Sequence, residues 1–269
     1  MSSNNTTRIR ILLWSRNSRD EVIKRLEAHL PDTLHGHLPG IVSILDELVK
    51  NAVKANHKHI LIRDRIAEAL IADGLDTAGA RNQVTDICED TYNFNKFVAE
   101  HPAVLDNIGT DLSRILRQES VWLNLRNKNL RFVSQLSAEE KEKIRATEEY
   151  SRIHQRLKSH EFYVEIRTKR NDDLLWVEII NTAPILDSDL KRLQEKREIF
   201  KTHRENGTEY EFFMNQVDTS EGGSGFGYAT IDTQLANMGL DPMDALFVIS
   251  LHGTNAMLKL NFNQMTAAE

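Results

Sequence analysis

Ile-Val-Ser-Ile-Leu-Asp-Glu-Leu-Val-Lys-Asn-Ala-Val-Lys-Ala-Asn, residues Ile41–Asn56, is the stretch on which the reading of this chain turns. Its apolar residues Ile41, Ile44, Leu45, Leu48, Ala52 and Ala55 recur at helical spacing, which predicts a helix with one buried face. Beside that stripe stand Glu47, Asn51 and Lys54, spaced so that their side chains share one row. A carboxylate can accept a proton, an amide oxygen suits a hard cation such as Mg²⁺, and an ammonium can neutralise phosphate. Taken alone, the plainer reading comes first: an amphipathic helix with solvated charges. The rest of the chain decides between the two.

The composition sets the frame. A chain of 269 residues, 40% apolar and 28% charged, has ample sequence for one large domain or two modest ones. A formal net charge of -6 argues against a general nucleic-acid binder, which needs a basic face, but leaves room for a local phosphate site. Cys88 is the only cysteine, so an internal disulfide and a cysteine-rich zinc site are both excluded. No apolar run reaches membrane-spanning length, and Met1–Thr7 is polar rather than a signal peptide. The expectation is a cytoplasmic protein with no membrane or nucleic-acid partner.

Upstream of the central helix, Arg8–Trp14 reads as a short strand. A Ser18/Glu21 capping box opens a helix that Pro31 ends. His35 and His37 fall between Pro31 and Pro39 with no third ligand nearby, so this segment reads as a connecting loop rather than a metal site. Downstream, Arg63–Ala72, Ala78–Glu100, Pro102–Gln118 and Ser137–Leu157 all carry helical patterns, the last with a Ser137/Glu140 capping box. His57 and His59 read as loop or strand-edge residues following the central helix. Character changes at His160. Phe162–Thr168 and Leu174–Ile180 alternate around the polar Lys169–Asp173, which predicts a hairpin. A charged helix, Asp187–Phe200, follows, and then a polar stretch, Thr202–Gly223, that reads as a long lid-like loop. Gly222–Gly227 (Gly-Gly-Ser-Gly-Phe-Gly) runs into a helix, Tyr228–Met238, and two last strands flank Gly253-Thr254.

A glycine-rich loop entering a helix offers backbone N–H groups to an anion, and glycine lets the backbone approach a phosphate closely. This one is no Walker loop, since no Gly-Lys-Ser/Thr follows. Taken with the central helix, it resembles the GHKL superfamily of histidine kinase-like ATPases, the gyrase, heat-shock chaperone, histidine kinase and MutL group. Glu47-Leu48-Val49-Lys50-Asn51-Ala52 is similar to that family's N box, and Gly223-Ser224-Gly225-Phe226-Gly227 to its second glycine box. Ser250-Leu251-His252-Gly253-Thr254 resembles its final Ser-x-x-Gly-Thr strand pair, and the motifs stand in the family's order.

The resemblance implies a two-layer α/β (α+β) sandwich, a mixed, mostly antiparallel sheet backed by helices. Residues 1–60 and 159–269 would form the ATPase-like domain, and 61–158 a helical insertion. It implies ATP and Mg²⁺ as ligands, with Asn51 as the metal ligand. Lys54, Gly223, Gly225 and Gly227 would lie at the phosphates, and Asn181 and Thr254 at the adenine. Glu47 takes the place of the residue that activates water, or assists the incoming histidine, in phosphoryl transfer. Residues around Arg204–Gly223 would close over the phosphates.

The chain also departs from the family pattern. Asn181-Thr182-Ala183-Pro184-Ile185 stands where the family has Asp-x-Gly-x-Gly, the helical stretch interrupts the fold, and no phosphoacceptor helix is recognisable. Asn181 reads equally as a strand-ending cap and Thr254 as a turn residue. Two functions follow: an ATP-using phosphotransferase or ATPase of intracellular signalling, or a catalytically degenerate nucleotide-binding or interaction module. The helical stretch could pair two copies as a homodimer, dock a receiver-type protein, or brace the nucleotide site.

Overall fold

Alternation of apolar and polar residues at Val164–Arg170 (β2) and Leu174–Asn181 (β3) builds the expected hairpin, closed where Asn171 N–H donates to Leu174 C=O at 2.8 Å. The computed structural model describes residues 5–127, 137–215, 226–250 and 253–265. Asn5–Ile11 (β1), Leu246–Ser250 (β4) and Thr254–Asn261 (β5) complete a five-stranded sheet in the order β1-β2-β3-β5-β4. Its pairings are all antiparallel among the described residues, so no parallel pair makes the sheet mixed.

Register follows from burial. Ile166 opposes Ile179, Ile179 opposes Ala256 and Ala256 opposes Val248, so these side chains share one buried face. Helices cover that face: Arg16–His29 (α1), the first part of Leu38–Ala72 (α2), and Gly227–Asn237 (α10 in chain order) contribute Leu26, Leu45, Leu48 and Leu235 to the same core. The result is the two-layer arrangement of sheet and helices expected from the sequence. Asp46 ties α1 to α2. It accepts from Arg19 Nε at 2.8 Å and from Trp14 Nε1 at 2.9 Å.

The chain forms two compact units, one of Met1–Val53 with Tyr163–Glu269 and one of Lys54–Phe162. Helix α2 runs for 35 residues and belongs to both. Beyond it the second unit holds Thr77–Glu89 (α3), Thr91–Glu100 (α4), Ile108–Asn127 (α5), Ala138–Arg145 (α6) and Glu148–Ser159 (α7). Ile60, Ile66, Phe94, Ile115 and Tyr150 are among its most buried side chains. The remaining helices, Asp187–Glu205 (α8), Glu209–Asn215 (α9) and Pro242–Ala245 (α11), belong to the first unit. No helix of the described residues is long and apolar enough to cross a membrane.

Several local expectations are corrected. The helix begun at Ile41 does not stop at Asn56, because no proline or glycine intervenes before Gly74, and His57 and His59 are buried inside it rather than in a loop. Val49 and Val53, rather than Ala52 and Ala55, carry the buried stripe onward. Ala78–Glu100 is two helices. Asp90 adopts an extended backbone and caps the second of them, accepting from Asn93 N–H at 2.7 Å. Helix α1 is capped by Ser15, with Ser18 as its third residue rather than its cap. Asp32–His37 is a short 3₁₀ helix, not an open loop.

Candidate functional site

The row read from the sequence lies on α2. Glu47 and Asn51 are half-buried one turn apart, and Asn51 Nδ2 donates to Glu47 Oε1 at 3.5 Å, the outer limit of a hydrogen bond. The Glu47 side chain reaches the first residue of α10: a Cβ placed on Gly227 would come within 2.2 Å of Glu47 Oε1. No side chain caps that helix, whose N-cap is Phe226. Leading N–H groups of an uncapped helix carry the positive end of its dipole, which favours a carboxylate or a phosphate beside them. Tyr228, the second residue of α10, is half-buried here as well. Burial pushes its phenol well above the ordinary value, Arg197 opposes that rise, and the Glu47 and Asp232 carboxylates add to it. Glu47, Asn51 and Gly227 are therefore brought together, with Tyr228 as a neighbour that sequence spacing did not single out.

A second cluster forms at the ends of β3 and β5. Asn181 and Thr254 face each other across the ladder. Asn181 is 1% exposed; its Oδ1 accepts from Ala183 N–H at 3.1 Å, and its Nδ2 is buried with no hydrogen-bond partner. It therefore serves as the cap of β3. Thr254 begins β5 rather than lying in the turn, and its hydroxyl donates to Ala183 C=O at 3.2 Å. Gly253 lets the two strand ends meet, since a Cβ there would stand 2.3 Å from the Asn181 carbonyl oxygen.

Other expected residues are placed differently. Lys54 follows Asn51 by about one helical turn and is half-buried, but it belongs to the second unit. Gly223 and Gly225, with the lid positions 216–222, lie outside the described residues. The described part of the expected lid is not a loop. Helix α8 extends to Glu205, and α9 inserts Phe212 against Phe200 with ring centroids 5.0 Å apart. Apolar spacing within Glu209–Asn215 was the available signal, hidden by the polar residues flanking it.

The donor set fits a magnesium nucleotide in kind. Glu47 and Asn51 supply hard oxygens on consecutive turns, and the start of α10 supplies backbone N–H groups. Among the described residues there is no group of three or more histidine, cysteine, aspartate or glutamate side chains that could hold a metal by themselves. No protein-family model, curated protein or solved structure matches the chain.

Proposed function

We propose that the unit built from residues 1–53 and 163–269 binds Mg-ATP and serves as a histidine kinase-like ATPase domain, acting by phosphoryl transfer or ATP hydrolysis in intracellular signalling. The observation that carries this reading is the contact of Glu47 with both Asn51 and Gly227, two motifs far apart in the chain meeting at one point. In this reading the Asn51 carbonyl oxygen is the protein's ligand for Mg²⁺. The N–H groups at the start of α10 receive phosphate oxygens, and Asn181 with Thr254 marks the adenine end. Glu47 holds the proton of the attacking group, a water or an acceptor side chain. Bound Mg²⁺ would supply charge neutralisation at the phosphates. Positioning and charge stabilisation account for most of such catalysis, so a small residue set suffices.

A second reading, a nucleotide-binding or protein-interaction module without turnover, draws on a specific observation. Asn181 spends its carbonyl oxygen on Ala183 N–H, which weakens its role as acceptor for an adenine amino group.

Calorimetric titration with a non-hydrolysable ATP analogue, with and without Mg²⁺, on the native chain and on Asn51→Ala, tests the proposal. Magnesium-dependent binding that disappears in the variant is the expected result. Absence of binding at millimolar nucleotide overturns it. Binding with no turnover in the native chain selects the second reading.

A further inference from the structure

Arg63, on the part of α2 that belongs to the second unit, is 7% exposed. Among the described residues no carboxylate pairs with it; the adjacent Asp64 pairs instead with Arg156. A guanidinium this deep is ordinarily matched by an acid, because an uncompensated buried charge is costly. Its described surroundings supply none. The Phe162 ring lies 5.9 Å from the guanidinium carbon, and the buried Cys88 thiol shares a hydrogen bond with Arg63. Burial pushes that thiol up to about 11 against the pull of Arg63, so it adds no negative charge near neutral pH.

One helical turn before Arg63 lies His59, 2% exposed, with both ring nitrogens buried and no hydrogen-bond partner for either. Phe94 and Phe162 hold the ring edge-on, each with its centroid 5.0 Å away. Burial first, then the charges of Arg63 and His160, bring the His59 imidazole down to about 3. It is therefore neutral and carries one N–H to donate. His160, exposed, also neighbours Phe162, at 5.9 Å between centroids, within the field of Arg63, Arg156 and Asp64. An unmatched guanidinium beside an unsatisfied neutral imidazole is a donor set lacking its acceptor. Arg63 is not fully closed off from solvent.

We propose that Arg63, His59 and His160 form a binding site for a small oxyanion in the helical unit, distinct from the proposed nucleotide site. The guanidinium fork takes two oxygens, His59 donates a third hydrogen bond, and His160 stands at the entrance. A carboxylate and a phosphate share this chemistry.

Calorimetric titration of the full chain at constant ionic strength, with inorganic phosphate and separately with succinate, distinguishes the two. Repeating it in Asn51→Ala and in Arg63→Gln separates this site from the other. The expected result is saturable binding that survives Asn51→Ala and weakens about tenfold to a hundredfold in Arg63→Gln. Tighter phosphate binding identifies a phosphate-type ligand, and tighter succinate binding a carboxylate. No saturable binding of either ion overturns the proposal, as does binding that is unchanged in Arg63→Gln. If Arg63→Gln fails to fold by circular dichroism, the exposed His160→Ala decides: weaker binding supports the site, and unchanged binding overturns it.

Discussion

Glu47 occupies the space that any side chain at Gly227 would need: an added Cβ would lie 2.2 Å from its Oε1 and 2.9 Å from its Cδ. The obstacle is the end of a flexible side chain, so Gly227→Ala is expected to fold and to push Glu47 aside. In a Glu47→Ala background the obstacle is gone, and alanine should then stabilise the first turn of α10 by about 0.5–1 kcal/mol. Urea denaturation of the two single variants, the double variant and the native chain reads this coupling. Effects that add to within about 0.5 kcal/mol would refute the contact.

Arg197 and Asp232 form a deeply enclosed ion pair of the first unit, 6% and 2% exposed. Arg197 Nε donates to Asp232 Oδ2 at 3.0 Å, and the two remaining nitrogens also reach the carbonyls of Leu246 at 2.8 Å and Pro242 at 2.7 Å. This one guanidinium thus joins α8 to α10, α11 and β4. Asp232→Asn leaves the cation buried and unpaired, for an expected loss of about 3–5 kcal/mol. A shift in the denaturation midpoint worth under about 1 kcal/mol would show that the pair is dispensable.

What could be read from the sequence was local. The hairpin was legible because β2 and β3 alternate, and the Glu47–Asn51 row because helical spacing fixes it. Helix ends were less legible. The length of α2 depended on the absence of a breaker, and the break between α3 and α4 on one aspartate, Asp90, whose side chain competes for a backbone N–H. Helix α9 owes its place to Phe212 packing on Phe200, a tertiary contact that the apolar spacing within Glu209–Asn215 does not specify by itself. The pairing of Arg197 with Asp232 left no local signal either. Of the candidate site, motif order suggested that Gly227 belongs near Glu47. That Asn181 would turn its oxygen to Ala183 depended on backbone geometry at the end of β3.

The amide at Asn181 can offer either an N–H or a C=O to a base, whereas a carboxylate only accepts. Its Nδ2 is the group left without a partner. If the nucleotide reading holds, the native chain discriminates weakly between the amino group of adenine and the carbonyl of guanine. Asn181→Asp should then shift the ratio of affinities toward ATP over GTP by about tenfold or more. Competition between labelled ATP and unlabelled GTP analogues measures the ratio. An unchanged ratio in a folded Asn181→Asp protein would remove Asn181 from base recognition.

Glu119, on α5, is 8% exposed, and His57 Nδ1 stands 4.0 Å from its carboxylate. Burial alone raises its carboxyl from 4.5 to about 7. The sign of the linkage follows from that rise. Below about pH 4.5 the folded and unfolded chains both hold the proton, and the contribution to stability is complete. Between 4.5 and 7 the unfolded chain ionises first, so stability falls as pH rises, and above about 7 the loss is complete. A rise of this size corresponds to about 3 kcal/mol, an upper figure because water penetration softens the burial cost. Glu119→Gln keeps the shape and removes the titration. Denaturant unfolding at pH 8 should therefore find the variant more stable than the native chain by about 1–3 kcal/mol. Near pH 4.5 the advantage should vanish. A variant equally destabilised at both pH values would instead mean that the Glu119 carboxylate is needed in its charged form, paired with a protonated His57.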